Sequence, residues 1–269
     1  MSCAPTKKGK RSYTCLPRES LLKIVKDYNS KHKDKIKMSK NNKVLWKRIK
    51  EKLSKQCDTE WCWIDQDFVS NDTKKNIDKH FKPKAPESWK ENKNEWLSTT
   101  DIDSVMEQYQ KAYPEFMFVG TVPVDCYIGS SLQCQLTNFK TKQIVKSGIK
   151  KIGIVFNLDY SYQSGSHWVA LFINIPRKEI VYFDSVGDEP PKEIKHLMDT
   201  FADHLSHLKM KKKHSRKQHQ YGNTECGIYS MNFLINCIKG KSLSQINKKR
   251  IPDKKMNQMR AYLYRNIYN

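Results

Sequence analysis

The run His167-Trp168-Val169-Ala170-Leu171-Phe172-Ile173-Asn174-Ile175 is apolar on both of the faces that alternate along an extended chain. A strand with one wet side would alternate apolar with polar residues, so this one is expected at the centre of a sheet covered on two sides. Pro176-Arg177-Lys178 interrupts it and Glu179 to Asp184 resumes the extended pattern, so the pair is expected to form a hairpin. Upstream, Phe116 to Val119 and Ile152 to Leu158 are further short strand candidates. Downstream, Pro190-Pro191 precedes Ile194, Leu197, Met198, Phe201, Leu205 and Leu208, which keep the i, i+3, i+4 rule of an amphipathic helix. A basic loop, 209–219, comes next. Gly227 to Ile238 is apolar nearly all round, as a buried helix is, and Met256, Met259, Leu263 and Ile267 fall on one stripe of a closing amphipathic segment. Strands and helices mixed in this order predict an α+β domain.

Ahead of this block the texture differs. The first ten residues are a polar arm. Pro17 then opens a helical pattern with Leu21, Leu22, Val25 and Tyr28 on one side, and Leu45, Ile49 and Leu53 mark a second helix near Asn42 to Lys55. A Lys-rich stretch with Pro83 and Pro86 sets a boundary near residue 90, giving a basic, mainly helical region 1–95 and a second domain 96–269. That domain starts with Thr99 or Thr100 as the cap of a helix carrying Ile102, Val105, Met106 and Tyr109.

The 269 residues include 10 Phe, 13 Tyr and 6 Trp, too many for a disordered chain. No apolar run approaches the ~18–20 residues of a membrane span. Met1-Ser2-Cys3-Ala4-Pro5 has no apolar segment behind it, so no secretory signal is expected, and the eight scattered cysteines are expected to be reduced thiols. Lys and Arg number 50 against 28 Asp and Glu, a formal net charge of +22. The excess is spread over both parts of the chain, and a field of that sign favours polyanions such as DNA through phosphate contacts. Lys209, Lys211, Lys212, Lys213, Arg216 and Lys217 form one basic cluster, and Lys248, Lys249, Arg250, Lys254 and Lys255 another. No base-reading motif accompanies them, so any such binding would be independent of sequence.

Cys226-Gly227 sits where a loop meets the start of the buried helix. The unpaired N–H groups and positive dipole end there stabilise a thiolate, and Gly227 leaves room beside the sulfur for a substrate carbonyl. A lone cysteine at a helix start is more often a small buried hydrophobe; what lies upstream alters that reading. His167 opens the central strand and Asp184 closes the next, 17 residues on. With an even number of residues in the hairpin loop, both side chains fall on one face at the same edge of the sheet. An acid there can hold the imidazole in the tautomer that accepts a proton from sulfur. Gln220, six residues before Cys226, offers an amide to a developing oxyanion beside the Cys226 backbone N–H, with Gln218 as its competitor in the same loop. Cys57-x4-Cys62, Cys126-x7-Cys134, His204 and His207 lack the paired spacing of a zinc site, and thiol acyl transfer needs no cofactor.

Gly165-Ser166-His167-Trp168, Tyr182-Phe183-Asp184-Ser185 and Gln220-Tyr221-Gly222-Asn223-Thr224-Glu225-Cys226-Gly227 together resemble the ubiquitin-like-protein proteases. That clan holds the SUMO-deconjugating enzymes, the adenovirus protease and the processing proteases of large DNA viruses of African swine fever and poxvirus type. The resemblance covers about residues 96–238, begins faintly at Trp96-Leu97 and does not reach residues 1–95. It implies a papain-like-clan core: a central mixed or antiparallel sheet flanked by helices, with the nucleophile at the N-terminus of a buried helix. It implies Cys226 as nucleophile, His167 as general base and then acid, Asp184 orienting His167, and Gln220 lining the oxyanion hole. Trp168 would wall a channel admitting only glycine-like side chains, so cleavage is expected after Gly-Gly or similar sites.

The length, the basic charge and the separate N-terminal region favour a viral maturation protease that cuts structural polyproteins, in the virion and host cytoplasm, with DNA as a possible activator. A SUMO or ubiquitin-like deconjugase of the cytoplasm or nucleus is the alternative. A basic DNA-binding virion protein with an inactive protease fold is the third reading, and it fits less well because all four chemical positions are filled. No membrane partner is expected.

Overall fold

The computed structural model describes residues 2–7, 13–127, 134, 136 and 139–265. The chain divides into two compact units, Met1–Lys84 and Ala85–Asn269. The segment 85–95 therefore packs with the second unit.

The first unit is helical. Its helices are α1 (Arg18–Lys31), α2 (Asn42–Leu53), α3 (Glu60–Trp63) and α4 (Asn71–Asp78). Pro17 stands at the N-cap of α1, whose buried face is Leu21, Ile24, Val25 and Tyr28. Asn41 caps α2 by accepting from the Lys43 and Val44 N–H groups, and Leu45, Ile49 and Leu53 are its buried stripe. These side chains close on Trp63, Ile64, Ile77 and Phe81 in one core. The N-terminal residues are not a free arm: Cys3 bridges Phe81, the Ala4 N–H donates to His80 O at 2.9 Å, and Cys3 is joined to Cys15.

That disulfide and two more, Cys57–Cys62 and Cys126–Cys134, correct the expectation of reduced thiols. The Cα separations of 5.0, 5.5 and 5.4 Å lie in the range a disulfide spans. Only Cys226 and Cys237 remain as thiols. Scattered spacing concealed the pairs because folding, not sequence proximity, brings Cys3 to Cys15.

The second unit is a mixed five-stranded sheet with helices on both faces. In chain order it comprises α5 (Thr99–Ala112), β1 (Phe116–Pro123), α6 (Thr141–Lys146), β2 (Lys151–Asn157), β3 (Trp168–Asn174), β4 (Glu179–Phe183), α7 (Lys192–His204), β5 (Lys211–His214), α8 (Cys226–Ile238), α9 (Leu243–Ile246) and α10 (Asp253–Leu263). The strands lie in the order β1-β2-β3-β4-β5. The outer pairs, β1 with β2 and β4 with β5, are parallel; β2, β3 and β4 are antiparallel. Every residue of β3 is buried. Trp168, Ala170 and Phe172 face α8 with Ile228, Met231, Phe233 and Leu234. Val169, Leu171 and Ile173 face α7 with Ile194, Leu197, Met198 and Phe201. That is the two-sided covering the run at 167–175 demands.

Ser98, rather than Thr99 or Thr100, caps α5: its hydroxyl accepts from the Asp101 N–H, and the Asp101 carboxylate accepts from the Ser98 N–H. The stretch read as a basic loop contains β5, which runs parallel to β4 as an edge strand with Lys211, Lys212 and Lys213 exposed. Lysines on an edge oppose further strand addition, which gives that charge cluster a structural reason. On α10, Met256 and Leu263 are buried and Met259 is partly so, while Ile267 lies outside the described residues. No helix among the described residues is long and apolar enough to cross a membrane.

Candidate active site

His167 precedes β3 and Asp184 follows β4. The β3–β4 connection holds four residues, 175–178, between the Asn174↔Glu179 pair, so the even loop that the parity argument requires is present. The two side chains meet: His167 Nε2 lies 2.7 Å from Asp184 Oδ1. Asp184 is 1% exposed and its Oδ1 also accepts the Val186 N–H at 2.9 Å. With Nε2 taken by Asp184, Nδ1 is the nitrogen left for the sulfur of Cys226, whose influence reaches this ring. Burial works against charge on the ring, but the hydrogen bond to Asp184 and the influence of Asp184 and Cys226 outweigh it and raise its pKa from 6.5 to about 10. The imidazole is thus protonated across neutral pH.

Cys226 is the first residue of α8, and no side chain caps that helix. Glu225, at the N-cap position, turns its carboxylate back to accept from Thr224 N, Thr224 Oγ1 and Asn257 Nδ2. The unpaired amides and the positive end of the helix dipole are left facing the sulfur. Gly222 is required by this arrangement, since a Cβ there would stand 2.7 Å from Glu225 Oε2.

Gln220 is 2% exposed. Its Oε1 accepts from Ser185 Oγ at 2.6 Å and its Nε2 donates to Gly222 O at 3.0 Å. Ser185 O accepts the His219 and Gln220 N–H groups, so the residue after Asp184 ties acid and amide into one assembly. Gln218 spends its amide on Gln220 O at 3.1 Å and acts as a brace for the same loop.

Gly227 also has a packing role. A Cβ there would stand 3.0 Å from Leu97 Cδ1 and 3.3 Å from Trp168 Cδ1, so the glycine serves close packing of α8 on Leu97 and Trp168. Trp168 is 6% exposed, donates from Nε1 to Leu97 O at 3.0 Å, and belongs to the core. One edge of it also lines a cavity of about 500 Å³ shared with Trp96, Thr121, Asn157, Tyr160 and Gly165, next to His167. The same indole thus belongs to the core and lines this cavity.

Several supporting residues carry no local sequence signal. The loop ahead of His167 is held by Asn157 Oδ1, which accepts from Asp159 N and Ser166 N, and by Asp159, which accepts from Gly165 N and Ser166 Oγ. Gly165 has φ +99°, and a Cβ would stand 2.5 Å from Asn157 Nδ2. On the other side, Asp253 at the start of α10 accepts from Tyr221 N and Gly222 N through Oδ2 and from Tyr229 Oη through Oδ1. Asn157 stands nine positions before Ser166 with no motif to mark it, and Asp253 follows Tyr221 and Gly222 by 32 and 31 positions, so a sequence scan places neither beside its partners. Among the described residues no group of three or more His, Cys, Asp or Glu is placed to hold a metal ion.

Comparison with known proteins places this geometry. The Ulp1 protease family, C-terminal catalytic domain, matches residues 99–269. A protein of Acanthamoeba polyphaga mimivirus named as a thiol protease is 31% identical over 98% of this chain and 93% of its own length. The SUMO-1 cysteine protease of African swine fever virus is 26% identical over 87% of this chain and 92% of its own. The crystal structure of an African swine fever virus protease superposes with a TM-score of 0.73 at 22% identity, covering 99% of this chain and 96% of that one, so the fold is shared over both units.

Proposed function

The chain belongs to the Ulp1 protease family, a cysteine protease, and from that premise we propose that it is a viral endopeptidase cutting structural polyproteins after Gly-Gly-like sites during virion maturation. The observation that carries the reading is the His167–Asp184 hydrogen bond brought beside Cys226 at the head of an uncapped helix. The viral assignment draws on the two viral relatives, and the Gly-Gly preference on Trp168 and Trp96 lining the cavity reached by the residues on either side of His167. An indole over the acyl path leaves no room for a Cβ substituent.

In the mechanism, the Cys226 thiolate attacks the scissile carbonyl carbon while the imidazolium of His167 stands beside it. The oxygen that becomes negative is received by the Cys226 backbone N–H and the Gln220 amide. Collapse of the tetrahedral intermediate breaks the C–N bond, and His167 gives its proton to the leaving amine. A water then loses a proton to His167 as it attacks the thioester, and the acid product leaves with Cys226 restored. Asp184 holds the ring in place and its charge favours the imidazolium throughout. These steps use no cofactor. The overall +22 charge supports DNA as a tether or activator inside the particle, with virion and host cytoplasm as the place of action.

The test compares wild type with Cys226→Ala on a short Gly-Gly-X peptide and on a folded SUMO fusion. Cleavage of the peptide by wild type alone is expected. Preference for the fusion would replace the maturation role with deconjugation, and silence on both, with and without DNA, would remove the proteolytic reading.

A further inference from the structure

Against α10 lies a cavity of about 710 Å³, formed within the second unit by segment 85–94 and α10 with the residues just after it. Its walls carry four cations, Lys93, Lys254, Arg260 and Arg265, beside the polar Asn94, Asn257 and Gln258, and no carboxylate is among the lining residues. Lys93 and Lys254 have no ion-pair partner among the described residues, and both are exposed at the mouth. The floor is Trp89, with Ala85 and Ala261 beside it. A volume of this size exceeds what an inorganic ion needs and lies within the range of about 300–1,000 Å³ of small-molecule sites.

Arg260 makes the cavity more than a basic patch. It is 5% exposed, and its guanidinium stacks over the Trp89 ring with Cζ 4.7 Å from the centroid. Nε donates to Asn257 Oδ1 at 3.2 Å and Nη2 donates to Thr224 O at 3.2 Å, while Nη1 is buried with no acceptor. A buried donor on a permanent cation is costly to leave unmade, and an oxyanion entering the cavity would supply the missing acceptor. The same guanidinium holds the carbonyl of Thr224, two residues before Cys226, and through Asn257 reaches the Glu225 carboxylate. An anion that draws on Nη1 therefore pulls on a group already bonded to the nucleophile's loop.

We infer that this cavity is an effector site for a polyphosphate-class oxyanion, bound by Arg260, Lys93 and Lys254 and felt at Cys226 through Thr224. Several point charges around one pocket suit a multiply charged phosphate better than a single carboxylate. The site rests on the reading of Cys226 as nucleophile only for its effect, not for its binding.

The test uses the full chain and inorganic tripolyphosphate as probe, by calorimetry on Cys226→Ala in about 0.15 M salt, where surface fields are largely screened. One-to-one binding is expected, weakened at least about tenfold by the pair Lys93→Ala and Lys254→Ala and changed less than about twofold by the control pair Lys211→Ala and Lys212→Ala on β5. Arg260→Met is expected to abolish it; because that variant loses a buried contact, the exposed lysine pair carries the test if it does not fold. In wild type, saturating probe is expected to change the iodoacetamide alkylation rate of Cys226 at least about threefold. Absence of saturable binding, or equal loss in both lysine pairs, overturns the site. Binding that leaves the alkylation rate unchanged overturns the effector role.

Discussion

Replacing Asp184 by Asn keeps the shape of the side chain and an oxygen for the Val186 N–H, but removes the charge that faces His167. Raising the imidazole from 6.5 to about 10 corresponds to about 5 kcal/mol in favour of the charged ring, at about 1.4 kcal/mol per tenfold. Asp184 and Cys226 supply that stabilisation and also offset the burial that opposes it, so loss of the Asp184 charge is expected to lower the population of imidazolium by at least about tenfold. Since His167 must carry a proton for the leaving amine, the alkaline limb of kcat/KM is expected near 10 in wild type and at least about one pH unit lower in Asp184→Asn. Stability follows the same sign: the raised pKa stabilises the fold fully below 6.5, and this contribution is lost as pH rises toward 10. The assay is a pH profile of peptide cleavage beside thermal melts at each pH. A variant that folds yet keeps its alkaline limb near 10 would refute Asp184 as the source of the charge on His167.

Gln220→Ala is expected to lower kcat by about 10²–10³ if its amide serves the oxyanion. Ser185→Ala removes only the hydroxyl that aims this amide and is expected to fall well short of that, which steady-state kinetics on the two variants resolves. Gly165→Ala puts a Cβ against Asn157 at φ +99° and is expected to cost about 1–3 kcal/mol in a denaturant titration, with a fall in kcat as the loop before His167 shifts. Gly227→Ala presses on Leu97 and Trp168, so a rise in KM for Gly-Gly-X peptides is expected to exceed the change in melting temperature.

The parts of the fold legible in the sequence were those fixed by period. The 167–175 run showed a strand covered on both sides, and Ile194 to Phe201 showed the face of α7, because burial writes itself into spacing. β5 was hidden because Lys211-Lys212-Lys213 has no apolar alternation; it is a strand only because β4 offers it an edge. At the site, Asp184 and His167 were legible because one hairpin carries both. The packing role of Gly227 was not legible, since Leu97, the residue it must clear, lies 130 positions earlier. The disulfides stayed hidden because spacing alone does not tell a bonded pair from two thiols, even at the separations of 5 and 8 residues of Cys57–Cys62 and Cys126–Cys134.

Asp253 sits 27 residues after Cys226, and its carboxylate is what receives the N–H groups of Tyr221 and Gly222. At translation rates of about 5–20 residues per second, that interval lasts roughly 1–5 s. Throughout it the ribosome has already made the nucleophile, the histidine and the acid, and the loop before Cys226 can reach Ser185, but the anchors that α10 supplies through Asp253 and Asn257 are still to come. Order of synthesis thus leaves the turn at the nucleophile half-tied until α10 is made.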